Sequence, residues 1–130
     1  MSIFGFSKKH TKNYMTIEAE NKGQLTKFKH FSFGNGCKKE LVGYVTMFPA
    51  EIISMSISCD RPQDLEEVIV AISIDGYVKN QYSVTLNNGE INKYVRFNNP
   101  LKVKEGSSLN FVSLENTKTI CTIVGVVLET

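Results

Sequence analysis

The sequence contains no tryptophan, only three prolines and three cysteines, and just two histidines, both within its first thirty residues. Each scarcity narrows what the chain can be. The longest apolar run, IVGVVL near the C-terminus, falls far short of the roughly 18 residues that a membrane-spanning helix needs. The start, MSIFGFSKKH, places its lysines after a very short apolar patch, the reverse of the order in a secretory signal. No Asn-x-Ser/Thr sequon occurs. Cys37, Cys59 and Cys121 are an odd set, far apart, without Cys-x-x-Cys spacing or a histidine placed as a fellow ligand. They read as reduced thiols in a cytosolic assembly environment, and Cys59 and Cys121 fall in apolar strand patterns where cysteine acts as a small hydrophobe.

The same scarcity weighs against enzymatic chemistry. Spacing ties neither His10 nor His30 to a carboxylate or cysteine in the rest of the chain, so both read as solvated or packing residues. Asp64, Glu66 and Glu67 form a local acidic cluster, but paired acid chemistry requires a cleft that drives two pKa values apart. FGNG, residues 33–36, lacks the lysine and the following helix of a phosphate loop. The expectation is a protein without catalytic residues, metal or cofactor.

What is present divides unevenly. Residues 1–40 hold eight lysines against Glu18, Glu20 and Glu40, whereas residues 41–130 hold seven Lys/Arg against ten Asp/Glu. This predicts a basic N-terminal arm, residues 1–40, ahead of a mildly acidic body, residues 41–130. The arm also carries Phe4, Phe6, Tyr14, Phe28, Phe31 and Phe33, and a merely solvating tail is poor in aromatics. It therefore reads as a docking segment, the competing reading being that its aromatics pack onto the protein's own body. Phe4 and Phe6 share one side of an extended chain and serve as apolar anchors, with Lys8, Lys9 and Lys12 matched to an acidic partner surface.

The body reads as strands. Apolar residues alternate in LVGYVTMF and in EIISMSISC, where Ile53, Met55, Ile57 and Cys59 share a side. Pro49 and Pro62 follow these two runs, where a ladder should end. LEEVIVAISI leads into Asp75-Gly76, a hairpin turn, and Asn88-Gly89 marks the turn after the return strand. INKYVRF ends at Asn98-Asn99-Pro100, with short runs at LKV and LNFVSL before TICTIVGVVLE. The one helix-like candidate, RPQDLEEV, is short. About eight short strands separated by turns predict an all-β antiparallel sandwich of jelly-roll type. An immunoglobulin-like sandwich ranks second because its signature tryptophan is missing, and a five-stranded oligonucleotide-binding barrel third.

VIVAI and ICTIVGVVL are apolar on both faces, whereas a strand in a two-layer sandwich needs only one apolar face. Val68, Val70, Ile72, Val124, Val126 and Leu128 are accordingly expected in the core or in an oligomer interface. Five or six such side chains would contribute on the order of 10 kcal/mol, against an association cost of about 4 to 15 kcal/mol.

From about Glu40 to Thr130 the order of features resembles the small trimeric jelly-roll domains of tailed-phage virion proteins, found in head fibres, capsid decoration proteins and tail fibres. The resemblance rests on VAISIDG, on SVTLNNGE with its Asn-Gly turn, on VKEGSSLNFVS, and on the long terminal strand TICTIVGVVLET. It is architectural, and Gly106-Ser107 stands where those domains often have Gly-Asp. The resemblance implies a virion component, assembled in the host cytoplasm, whose homotrimeric knob is fixed by its N-terminal segment to a larger capsid or tail protein. A carbohydrate-binding module ranks next, with a host surface glycan on Tyr77, Tyr82 or Tyr94. Nucleic-acid binding by the lysines and aromatics of the arm ranks last, given the acidic body and a net charge of only +2.

Overall fold

A computed structural model describes residues 12–33, 43–60 and 66–130. Eight strands are formed: β1 (Tyr14–Lys22), β2 (Tyr44–Val45), β3 (Ala50–Asp60), β4 (Val68–Ile74), β5 (Tyr77–Leu86), β6 (Asn92–Val103), β7 (Ser108–Ser113) and β8 (Cys121–Glu129). No helix occurs among the described residues. The strands lie in two four-stranded antiparallel sheets, ordered β1-β8-β3-β6 and β2-β7-β4-β5. The chain is an all-β sandwich.

Each strand pairs with its counterpart counted from the other end of the chain: β1 with β8, β2 with β7, β3 with β6 and β4 with β5. Two further ladders, β3 with β8 and β4 with β7, complete the sheets. Only β4 and β5 form a simple hairpin. There Asp75 and Gly76 take φ angles of 53° and 86°, the left-handed pair that a two-residue turn of right-handed twist requires. Every other connection passes from one sheet to the other.

Period-two alternation decides which side chains enter the core. In β8, Val124, Val126 and Leu128 point inward, and in β4, Val68, Val70 and Ile72 do so. All six are buried within the single chain, in one cluster with Ile52, Met55, Ile57, Leu109 and Phe111. The choice left open between core and interface thus falls to the core. The second apolar face of these strands has a local explanation. β8 lies between β1 and β3, and β4 between β7 and β5, so each outward residue is flanked on both sides. Those residues include Gly125, Ala71 and Ser73, small enough to be covered by their neighbours.

Part of the expected arm is sheet. Tyr14–Lys22 form β1, with nine register pairs to β8 and Ile17, Ala19 and Asn21 buried beneath it. The following segment then strings the two sheets together along one side. Ser32 and Glu20 exchange both backbone hydrogen bonds, at 2.9 and 3.0 Å, while the Phe31 N–H donates to the Phe111 carbonyl at 3.0 Å. Leu25 and Thr117 exchange a further pair, both at 2.9 Å. Leu25 and Phe31 are fully buried, and Phe33 packs on Phe111 with ring centroids 5.6 Å apart. These aromatics of the arm complete the protein's own core.

Two further boundaries differ from expectation. Of LVGYVTMF, the described strand is only Tyr44–Val45, and Met47 and Phe48 lie in solvent. INKYVRF and LKV are one strand, β6, which runs through Asn98-Asn99-Pro100. Opposite Ile53, between the pairs Ile52–Leu101 and Ser54–Arg96, β6 carries four residues. The turn signal has become a bulge on a sheet edge, where a missing proline N–H costs no ladder bond.

Candidate functional site

Of the expected docking residues, Phe4, Phe6, Lys8 and Lys9 lie outside the described residues. Lys12 is described, and its Nζ sits 3.5 Å from the Glu129 carboxylate at the end of β8. The pair, with Lys12 exposed and Glu129 half-buried, ties the entry of the chain to its own body, with an expected contribution of about 0–1 kcal/mol.

The pairing register places the chain's entry at a definite end of the sandwich. Tyr14 stands opposite Glu129, Glu129 opposite Glu51, and Val45 opposite Ser108. The β2–β3, β4–β5 and β6–β7 connections therefore gather at the same end as Tyr14. Met47 is 74% exposed and Tyr77 73%, and Tyr14, Val45 and Phe48 are exposed beside them. A cleft of about 440 Å³ opens there between Asn13, Tyr14, Met15, Phe48, Pro49 and Thr130. The loops beneath are fixed. Thr46 Oγ1 donates to the Lys104 carbonyl at 2.7 Å, the Thr46 N–H to the Ser107 carbonyl at 3.0 Å, and the Gly106 N–H to the Thr46 carbonyl at 2.7 Å. Apolar side chains displayed on a hydrogen-bonded platform can bind another apolar surface with little loss of conformational freedom. Sequence reading took Met47 and Phe48 for strand residues; Pro49 directly after them was the signal that they belong to a turn.

The outer face of the β1-β8-β3-β6 sheet has a different character. Four rows cross it, in the strand order β1, β8, β3, β6. Thr16, Val127, Ser54 and Arg96 form one; Glu18, Gly125, Ser56 and Tyr94 the next; and Glu20, Ile123, Ser58 and Asn92 the third. Lys22, Cys121 and Asp60 begin the fourth, over three strands. On the middle strands Gly125, Ser54, Ser56 and Ser58 share this face with Val127 and Ile123, and the outer strands carry Thr16, Glu18 and Glu20 on one side and Arg96, Tyr94 and Asn92 on the other. A Cβ placed on Gly125 would meet Glu18 Cγ at 3.3 Å and Ser56 Oγ at 3.4 Å, so both side chains lie across the glycine on this face. Ser58 Oγ donates to Asn92 Oδ1 at 2.8 Å.

The three candidate tyrosine platforms separate clearly. The Tyr82 hydroxyl donates to the Asn99 carbonyl at 2.9 Å, and its ring meets Phe97 edge-on at 5.0 Å, so it secures the β6 bulge. Tyr77 belongs to the apolar end. Tyr94, 61% exposed, stands on the open sheet face. Cys59 and Cys121 are free thiols. Cys59 Sγ lies 3.4 Å from Thr122 Oγ1 inside the sandwich, while Cys121 borders a cleft of about 370 Å³ at the opposite end. The backbone of His30 bridges to Val112. No group of three or more His, Cys, Asp or Glu among the described residues is placed to hold a metal ion. No protein-family model matches the chain, and neither does any curated protein.

Proposed function

We propose that the chain is a structural virion protein of a tailed phage, a capsid decoration or fibre/knob component that attaches to a larger capsid or tail protein by the end of the sandwich at which its N-terminal segment enters. The observation that carries this reading is the coincidence of that entry point with four solvent-exposed side chains: Tyr14 and Tyr77, which open β1 and β5, and Met47 and Phe48 on the β2–β3 loop, which Thr46 bonds to the β6–β7 loop. The strand pairing supports the architectural part. First with last, second with seventh, third with sixth and fourth with fifth is the pattern of a long ribbon folded once and rolled up, a jelly roll. Free thiols at Cys59 and Cys121 are compatible with assembly in a reducing host cytoplasm.

Docking then combines the basic, aromatic N-terminal segment with a preformed apolar platform. A homotrimer, as the resemblance implies, has to be built from surfaces other than Val68, Val70, Ile72, Val124, Val126 and Leu128, which already face the core. The test replaces Met47 and Phe48 by serine in one variant. Both side chains are exposed, so stability should stay within about 0.5 kcal/mol, while the protein no longer co-purifies with particles. Full occupancy of particles by the double variant would overturn the assignment of this end.

A further inference from the structure

The charges on the outer face of the β1-β8-β3-β6 sheet are unevenly placed. Within its three complete rows, Glu18 and Glu20 stand on β1 at one side and Arg96 on β6 at the other. None of the three has an ion-pair partner among the described residues. The bulky apolar groups are as uneven, with Val127 and Ile123 on β8 beside the serines of β3, and Tyr94 beyond them on β6. Lysine, the commonest cation of the chain, is missing from these rows. Tyrosine and arginine in its place are the composition of an interface centre.

We propose that this face binds a second copy of the chain, the two sheets packing face to face about a two-fold axis that runs parallel to the strands. Aligned sheet packing allows two such in-plane axes, one along the strands and one across them. The axis across the strands lays β1 over β1 of the second copy, so Glu18 and Glu20 meet the same acids. Like charges reject that arrangement. The axis along the strands lays β1 over β6 and β8 over β3 instead. Val127 then faces Ser54 of the second copy, Ile123 faces Ser58, and Glu18 faces Tyr94 with Arg96 one row away. Bulky side chains meet small ones, and carboxylates meet a cation.

Area sets the strength. Four strands spaced about 4.8 Å and nine residues rising about 3.3 Å each make the face roughly 19 by 30 Å, or about 570 Å² on each copy. The pair covers about 1,100 Å², at the lower limit of specific interfaces, so its Kd is on the order of 100 µM. An axis along the strands also leaves both entry ends pointing the same way. On the docking reading above, and resting on it, the pair presents two apolar ends to one partner surface, where linked contacts hold more tightly than one. A two-fold pair differs from the three-fold assembly that the resemblance implies, and mass tells them apart.

The test is equilibrium sedimentation of the full chain from about 10 µM to about 1 mM, across which a dimer mass should emerge. Glu18→Arg and Arg96→Glu, both at exposed positions, should each weaken pairing at least about tenfold, because each brings like charges together twice per dimer. Combining the two substitutions should restore the affinity of the unaltered chain. Replacing Met47 and Phe48 by serine should leave pairing unchanged while removing attachment to particles, so this proposal and the docking reading fail separately. A monomer throughout the range, a trimer, a dimer indifferent to both single substitutions, or a double variant no better than either would each overturn the proposal. So would loss of the dimer in the Met47 and Phe48 variant, which would move the contact to the apolar end.

Discussion

Val124 shows how one side chain reports on the whole sandwich. It lies on the inner face of β8, paired through the backbone with Ala19 on one side and Ile57 on the other, and has no exposed surface. Val124→Asp would bury an ionised carboxylate with no cation in the surrounding apolar cluster. Such a group costs far more than the lost methyl contacts. The expected loss is at least ~4 kcal/mol, enough to unfold much of a protein whose total stability is about 5–15 kcal/mol. Thermal melting checks it, and an unchanged melting temperature would mean that β8 lies in another register. Ile123→Asp, one residue away on the outer face, should be nearly neutral. The contrast between neighbours separates a two-faced strand from a strand apolar on both sides.

At the scale of elements, the turn from β5 to β6 carries the one clear electrostatic perturbation among the described residues. The Asn87 N–H donates to the Glu90 carboxylate at 2.8 Å, and Lys93 Nζ lies 3.1 Å from the same oxygen. Both favour the charged form, so the Glu90 pKa is lowered from its ordinary value, mainly by the backbone hydrogen bond and then by Lys93. A depressed carboxylate pKa stabilises the fold above the unfolded-state value, and the contribution disappears as pH falls through the lowered one. Following the Glu90 carboxyl by NMR titration, Lys93→Met should raise its pKa only part of the way back, because the backbone donor remains. Full return to the ordinary value would make Lys93 the dominant cause.

Legibility differs among elements for physical reasons. Asp75-Gly76 was readable because positive φ at two successive positions restricts the residues that can stand there. β3, β4 and β8 were readable from alternation or apolar runs. β1 was not recognised, although Met15, Ile17 and Ala19 alternate with Thr16, Glu18 and Glu20. The strand lies on a sheet edge, its outer face is charged, and its inner face ends in small or polar residues, so the net charge of the segment dominated. Asn98-Asn99-Pro100 misled in the opposite way: the same residues that end a strand are tolerated in an edge bulge. The rows across the outer sheet face could not be read at all, since Glu18, Gly125, Ser56 and Tyr94 become neighbours only through the register of three ladders.

For the whole molecule, the decisive question is where the folded unit begins, and two truncations answer it. Removing residues 1–40 takes away β1 together with Leu25 and Phe31. That uncovers a nine-residue ladder along β8 and the core beneath Ile17, Ala19, Leu25 and Phe31, each at most 5% exposed. At about 1.5–3 kcal/mol for each large apolar side chain, the loss is comparable with the entire stability of such a domain. The bare edge of β8 also becomes a template for pairing with other chains, so this truncation should unfold or aggregate. Removing residues 1–11 spares every described strand and should leave the melting temperature unchanged. If the docking reading holds, that shorter truncation stays folded but no longer attaches to particles. Melting and particle co-sedimentation of the two proteins, side by side, distinguish the possibilities. A stable fold after loss of residues 1–40 would restore the boundary at residue 40 and make β1 dispensable. Loss of folding after removal of residues 1–11 would show instead that the first residues complete the core, and particle attachment by that truncated chain would remove them from the docking surface.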